Sequence, residues 1–454
     1  KHIDNTQNKE RKMRILVLST DLWDDISNGN NIQSNWFNGF NAEIANIYLV
    51  PGKPNNQVCT RYFQVTDAMM AKSFLGRRAG HAFIWNPAVN HVSINDTANV
   101  EKENVGLYKK LRSHSGEWLR LARDILWAYG RYDKKALKAF IDDFQPDIVF
   151  CPHLFSIKSR RIERIINKMT DAPMIAFSGD AEASLNVISY NPLFWCRRLR
   201  DHLLYPAFVK KFAYYFTFSP RWCEMLTKKY GVPSEPLYKC VDGTPVEEKP
   251  VNDVIKLVYA GSLYCNRWKT ISVIGDAMKV INKDGKKIEM FVYSQSSLNE
   301  EQKAALSEEK FIHFMGCVSP TELPRIYKEA DIALHVESFD KRFMLETEHS
   351  FSTKLTDLMA STCAILAICW DRNSGWRYVK DNDAAICLSS YEEILPKLQE
   401  IVANPTIIQE YARKAAECGI KNHNRERIQK QIRDVFEKVI ARAKYKKTIK
   451  YSTQ

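Results

Sequence analysis

No stretch of the 454 residues approaches the ~18 uninterrupted apolar residues that a membrane-crossing helix needs, and Lys1 to Lys12 are too polar for a secretory leader. The expectation is a protein made in the cytoplasm and kept there, with residues 1–12 left out of the fold because nothing in them is periodic. The 11 cysteines are an odd number and contain no Cys-x-x-Cys pair, which argues against a disulfide framework or a zinc ribbon and for reduced, mostly buried thiols. The chain also lacks internal repeats, low-complexity segments, and any helix-turn-helix, zinc-finger or RNA-recognition signature. Its formal net charge of +13 is spread over both halves rather than gathered in one module, which speaks against a nucleic-acid binder. That charge still implies attraction to something anionic, whether nucleic acid, an anionic membrane face or a phosphorylated substrate.

What is present is a globular composition, 45% hydrophobic and 26% charged, on a chain longer than one core usually serves. Two domains are the starting expectation. Apolar runs at Met13 to Thr20, Ile44 to Val50, Ile148 to Phe150, Pro173 to Phe177 and Tyr215 to Phe218 alternate with helical stretches, the longest predicted over Glu117 to Phe144. The polar segment Cys240 to Asn252, with Pro245 and Pro250, reads as a linker. The rhythm then restarts, with strands predicted at Ile255 to Ala260, Ile288 to Tyr293, Ile312 to Met315, Ile332 to Val336 and Ala364 to Ile368. The expected fold class is α/β: two doubly wound, Rossmann-like domains, residues 13–242 and 253–424, followed by a basic helix over 425–444.

In such sheets ligands bind beyond the carboxyl ends of the strands, so residues just after strands are the candidates. Tyr259-Ala260-Gly261-Ser262-Leu263 leaves the first strand of the second domain, with Arg267 and Lys269 and a helix following. Glycine lets the backbone come close to a ligand, and cations near a helix N-terminus suit a diphosphate. A plain strand-to-helix turn with solvated cations would use the same residues. Ser350-Phe351-Ser352-Thr353-Lys354 at a second helix start offers hydroxyls, backbone N–H groups and a point charge, with Asp357 one turn on. Simple N-capping by Ser352 or Thr353 is the alternative.

These residues carry a resemblance. Tyr259-Ala-Gly-Ser262 with Asn266-Arg267-Trp268-Lys269, Phe311 to Val318, Glu322 to Ile332, and Ser352-Thr-Lys354 with Asp357-Leu-Met-Ala-Ser361 resemble the donor-binding domain of GT-B glycosyltransferases, especially the retaining group related to glycosyltransferase family 4. Met13 to Thr20, Gln145 to Val149 and Ser219 to Pro233 extend it weakly into the first domain. The resemblance implies a metal-independent transfer of a sugar from a nucleotide-sugar donor to a saccharide, lipid-linked or protein acceptor, with no cofactor. It places Arg267 and Lys269 on the donor diphosphate as the residues that carry the catalysis, with Ser352, Thr353 and Lys354 adding to that cradle, Gly261 and Ser262 in the loop beside it, Gly316 to Val318 by the base, and Asp357 at the ribose. The family's two glutamates, with seven residues between them, become His349 and Asp357 here, so the hold on the sugar ring is open. A nucleotide-sugar 2-epimerase shares the architecture but wants a cleft richer in His, Asp and Glu, and a non-catalytic partner protein would explain the missing first glutamate.

On the first domain Asp180, after the strand ending at Phe177, is the acidic candidate for orienting the acceptor hydroxyl or steadying the sugar; an N-cap for a helix starting near Ala181 is the other reading. His153 is a second candidate. Gly29 lies in the loop after the first strand, which the resemblance brings near the donor phosphates, but it stands alone without a second glycine, and an ordinary Asn-Gly turn is the other reading. Asp381-Asn382-Asp383 matches a metal-binding Asp-x-Asp pattern but reads better as a turn. The stretch from Trp195 to Lys229 mixes cations with aromatics; it suits peripheral contact with the inner membrane face, or a helix with aromatics in the core and cations in water, the second being the simpler.

Overall fold

A computed structural model describes residues 11–25, 32–86, 116–152, 154–180, 182–241, 249–319 and 321–452. The first domain is an eight-stranded sheet built from β1 (Met13–Ser19), β2 (Ala42–Tyr48), β3 (Arg61–Gln64), β4 (His81–Ile84), β5 (Ile148–Pro152), β6 (Met174–Ser178), β7 (Tyr214–Thr217) and β8 (Ser234–Pro236), in the order β4-β3-β2-β1-β5-β6-β7-β8. All pairs run parallel except β3 with β4. Ile15, Leu16, Val17 and Leu18 of β1 are all buried. Their unbroken apolar run is what a central parallel strand covered on both faces requires.

The second domain has six parallel strands, β9 (Ile255–Ala260), β10 (Ile288–Tyr293), β11 (Ile312–Gly316), β12 (Ile332–Val336), β13 (Ala364–Ile368) and β14 (Ile386–Leu388), ordered β11-β10-β9-β12-β13-β14. Strands β9 and β12 pair through only two residues each, Leu257 with Ile332 and Val258 with Ala333. The strand order reverses between them, so a crevice opens past their carboxyl ends.

The expected α/β architecture is therefore present in both halves, with differences of detail. The single helix expected over Glu117 to Phe144 is two, Glu117–Tyr129 and Lys134–Phe144. Residues 131–133 instead bond to Ala79, and a Cβ at Gly130 would meet the Met70 sulfur at 2.6 Å, so only glycine fits the corner. Asp133 then caps the second helix through the Ala136 amide. The short strands β3, β4, β8 and β14 were outside the sequence expectation.

The last helix, Arg425–Ser452, returns to the first domain. Ile428, Ile432, Val435, Phe436 and Val439 are buried along one stripe, and the Phe436 ring lies 5.6 Å from that of Phe150. Arg433 stacks over Phe40, and Gln429 donates to the carbonyl of Trp36 at 2.9 Å. A row of rings, Phe218, Phe351, Tyr238, Tyr378 and His423, crosses between the domains with centroid spacings of 5.0 to 5.9 Å. Two sheets are thereby held with their carboxyl edges facing one seam.

Candidate functional site

The crevice of the second domain is lined from both flanking strands. Gly261 follows β9 directly, and the backbone turns through Cys265 and Asn266, both left-handed at φ 59° and 56°, into the helix Arg267–Ile281. Asn266 makes no side-chain cap bond, so the amino end of that helix keeps its outward-facing N–H groups. Opposite, Glu337 follows β12 and is buried. Arg267 closes the crevice by a bidentate fork on Glu337, Nε to Oε2 at 2.9 Å and a terminal nitrogen to Oε1 at 2.8 Å. The Glu337 carboxylate more than offsets the cost of burial and holds the guanidinium fully charged.

Lys354 enters the same crevice from the helix Thr353–Met359. Its ammonium lies where a Cβ on Gly261 would stand, 1.5 Å from that ideal position, and 5.4 Å from the Tyr259 ring centroid. Glycine at 261 is thus a requirement of the lysine's path. Among the described residues the Lys354 ammonium makes no hydrogen bond or ion pair; burial first, and then the Arg267 charge, pull its pKa down to about 8, against the more distant Glu337 and Asp357 carboxylates, which raise it. Behind it His335 of β12 is buried with Nε2 unbonded, and burial with the Arg267 and Lys354 charges pulls its pKa down to about 3, so it is neutral. A half-buried lysine held beside an arginine without an ion pair of its own is unfavourable, and a bound anion in the crevice relieves that cost.

The other expected residues fall around this point. Ser352 is the N-cap position of the Thr353 helix yet forms no side-chain cap bond, so plain capping by its hydroxyl is not seen. Thr353 is buried. Ser262 is exposed, and its hydroxyl accepts from the Tyr264 amide within the turn. Lys269 lies over Asp340 at 2.9 Å, and Asn266 also donates to Asp340 at 2.7 Å. Val318 packs, partly buried, against the core after Gly316, whose φ of 74° turns the chain out of β11. Asp357 faces the first domain, where the buried Lys239 meets it at 2.6 Å while the carboxylate stays 45% exposed.

Across the seam, Asp180 is exposed after β6 and accepts from the Ser350 hydroxyl at 2.5 Å. Its alternative role as a helix cap is not borne out, since the next helix in the described residues starts at Pro192. His349 packs on Trp222 with its ring centroid 5.4 Å away and its Nδ1 unbonded, and burial lowers its pKa. Its neighbour Glu348 is buried and meets Arg221 of the first domain and Arg372 of the second. Gly29 and His153 lie outside the described residues.

Asp381-Asn382-Asp383 is a turn, as expected: the helix ends at Asp381, Asp383 is left-handed at φ 50°, and Lys414 pairs with it at 2.7 Å. In the stretch from Trp195 to Lys229, Tyr205 and Phe208 are buried as the simpler reading expects, but Arg197 and Arg200 are tied to Glu117, Asp124 and Asp201 rather than to water. Trp118, Tyr190, Leu199 and Leu203 remain exposed nearby. No helix among the described residues is long and apolar enough to cross a membrane.

Glu337, Glu348, His335 and Lys239 were missed from sequence. A carboxylate directly after a buried strand, as Glu337 follows β12, was the one available signal. The charge state of Lys354 gives a testable pH dependence. Because the folded chain holds this proton less tightly than the unfolded chain, Lys354 disfavours folding below about pH 8, and that penalty fades as pH rises toward 10.5. Affinity for a bound anion runs the other way, constant near neutrality and falling above about pH 8 as the ammonium is lost. Titration of UDP against the chain between about pH 7 and about pH 9.5 checks it; a flat profile would deny Lys354 a part in anion binding.

Residues 292–434 match the glycosyl transferase-like family. No curated protein matches the chain in sequence. Among solved structures the chain is similar to sucrose-phosphate synthase from Thermosynechococcus elongatus, at 13% identity and TM-score 0.58 over 95% of this chain and 100% of that one. It is similar to HepE from Anabaena in complex with UDP and glucose, at 11% identity and TM-score 0.59 over 94% and 100%. A third is a variant of TarM from S. aureus in complex with fondaparinux, an α-GlcNAc-glycerol and UDP, at 9% identity and TM-score 0.55 over 94% and 100%. The crevice past β9 and β12, the facing carboxyl edges and these likenesses agree: the chain has the GT-B fold of glycosyltransferases, with a glycosyl transferase-like domain over residues 292–434.

Proposed function

We propose that this protein is a retaining, metal-independent glycosyltransferase that takes a sugar from a nucleotide-sugar, a uridine diphosphate sugar in the first instance, and passes it to an acceptor held by the first domain. The observation that carries this reading is the unpartnered Lys354 ammonium lying over Gly261 at the mouth of the β9–β12 crevice. As the bond from the anomeric carbon to the diphosphate oxygen lengthens, positive charge grows on the ring and negative charge on the leaving group. Lys354, Arg267, the hydroxyls of Ser352 and Thr353 and the amides opening the Arg267 helix stabilise that negative charge. Asp357 takes the ribose hydroxyls, exchanging part of its contact with Lys239. The Gly316 to Val318 turn passes beside the base. Asp180, across the seam, orients the acceptor hydroxyl, which attacks the anomeric carbon while its proton leaves toward the departing phosphate oxygen. Lys269, held by Asp340, supports the loop from outside and reaches the diphosphate only on leaving that partner.

The acceptor is a saccharide, free or linked to lipid or protein, and the exposed Trp118, Tyr190 and Leu203 support peripheral contact with a membrane carrying a lipid-linked one. A non-catalytic partner protein is the competing reading, favoured by His349 in place of a glutamate. Thermal unfolding with nucleoside diphosphates and nucleotide-sugars, all with EDTA, separates them. A rise in melting temperature selective for one base is expected, as mass action requires for a ligand of the folded state. No rise with any nucleotide, in a folded sample, moves the assignment to the partner protein.

A further inference from the structure

The seam between the domains holds an arrangement that donor binding does not use. Arg221 lies in the first turn of the helix Pro220–Tyr230, just past β7, and Arg372 lies in the turn past β13. One comes from each domain, and both reach the same oxygen: Arg221 donates to Oε1 of Glu348 at 2.9 Å and Arg372 to Oε1 at 2.5 Å. The other oxygen, Oε2, has only the Asn186 amide among the described residues, at 3.5 Å. The Glu348 side chain is 4% exposed, whereas those of Arg221 and Arg372 are 55% and 53% exposed.

Two guanidiniums therefore converge on one carboxylate oxygen with one positive charge in excess. Among the described residues neither makes another hydrogen bond, and both side chains are more than half exposed, so most of the five N–H donors of each are left to solvent. Bringing two like charges together is unfavourable, and half-neutralised guanidinium pairs find their complement in a bidentate oxyanion such as phosphate or carboxylate. The position is also specific. Segment 348–354 runs from this pair, past Ser350 on Asp180, to Ser352 and Lys354 in the crevice, so the surplus charge lies on the acceptor side of the reacting centre.

We propose that the acceptor carries an anionic group, a phosphate or carboxylate, and that Arg221 and Arg372 bind it jointly across the seam, with Glu348 setting their spacing. This rests on the transferase reading of the same cleft. Binding such an acceptor also draws the two domains together, because each contributes one guanidinium.

The test uses the full chain saturated with UDP in EDTA, so that the donor crevice is filled, and titrates inorganic phosphate calorimetrically. Glucose 6-phosphate against glucose, glucuronate, and phosphatidylglycerol vesicles against phosphatidylcholine vesicles then identify what bears the anion. Saturable phosphate binding is expected, with glucose 6-phosphate, glucuronate or the anionic vesicles binding more tightly than phosphate and their neutral counterparts not at all. In the paired variant Arg221→Gln with Arg372→Gln, anion affinity falls about tenfold or more, the change expected from losing charge-assisted hydrogen bonds. In Glu348→Gln, which removes the competing carboxylate and leaves both arginines in place, affinity rises about threefold or more. That second variant keeps the test decisive if the paired one folds poorly.

No saturable phosphate binding in the wild type, or equal affinity in the wild type and Glu348→Gln, means a structural latch and overturns the proposal. Phosphate bound no less tightly than every organic anion overturns the assignment to an acceptor. Failure of UDP to bind, with arginine-dependent phosphate binding intact, counts instead against the transferase reading.

Discussion

Lys354→Met will lower turnover by about 10²- to 10³-fold, the range found when one preorganised donor to a developing oxyanion is removed, while the protein stays as stable as the wild type or becomes more so. The two halves of this result come from one cause. The ammonium is packed over Gly261 with no ion pair among the described residues, so it is a charge largely removed from water at a cost that the more distant Glu337 and Asp357 offset only in part. Methionine matches the length of the stem and removes the charge, which relieves that cost. In the transition state the same charge faces the leaving diphosphate, where its loss is felt in full. Turnover of the nucleotide-sugar and thermal unfolding, measured on the same preparation, read both. A variant that loses stability in step with activity would make Lys354 a packing residue.

Arg267→Ala has the opposite profile. Its guanidinium forks onto Glu337, whose side chain is 5% exposed, so truncation leaves a buried carboxylate alone, and unfolding free energy should drop by about 3–5 kcal/mol. Adding Glu337→Gln to Arg267→Ala replaces the unpaired charge by a neutral amide and should recover more than half of that loss, without restoring donor binding. Urea denaturation of the four proteins gives the cycle. If the double variant is no more stable than Arg267→Ala, the pair is not the structural unit described, and Arg267 stands free to face the ligand.

Much of this architecture was legible in the sequence because parallel strands buried on both faces leave unbroken apolar runs, as in Ile15 to Leu18 of β1, Leu257 to Ala260 of β9 and the whole of β13. The loops that leave those strands could then be placed at the carboxyl edges, which is how Gly261, Arg267 and Lys354 were found. The short strands β3, β4 and β8, three or four residues each at or next to the sheet's edges, carry too little pattern to register. The partners that decide the electrostatics were illegible for a different reason: Arg267 meets Glu337, Arg221 meets Glu348 and Lys239 meets Asp357 across 70, 127 and 118 residues of sequence. Local spacing carries no trace of such pairings. It therefore put Arg267 and Lys269 ahead of Lys354, whereas the fold gives each of the first two an ion-paired carboxylate and the third none among the described residues.

That difference is the centre of the account, and the measurement that reaches it most directly is calorimetric titration of UDP, in EDTA near neutral pH, against the wild type, Lys354→Met and Gly261→Ala. Gly261→Ala deletes no charge, but its methyl group occupies the position of the ammonium, so the flexible end of Lys354 must move off that point. Both variants should bind UDP at least about tenfold more weakly than the wild type, as loss of one charged contact implies. Wild-type affinity in either variant would contradict the account, because the diphosphate would then bind without the cation placed to receive it.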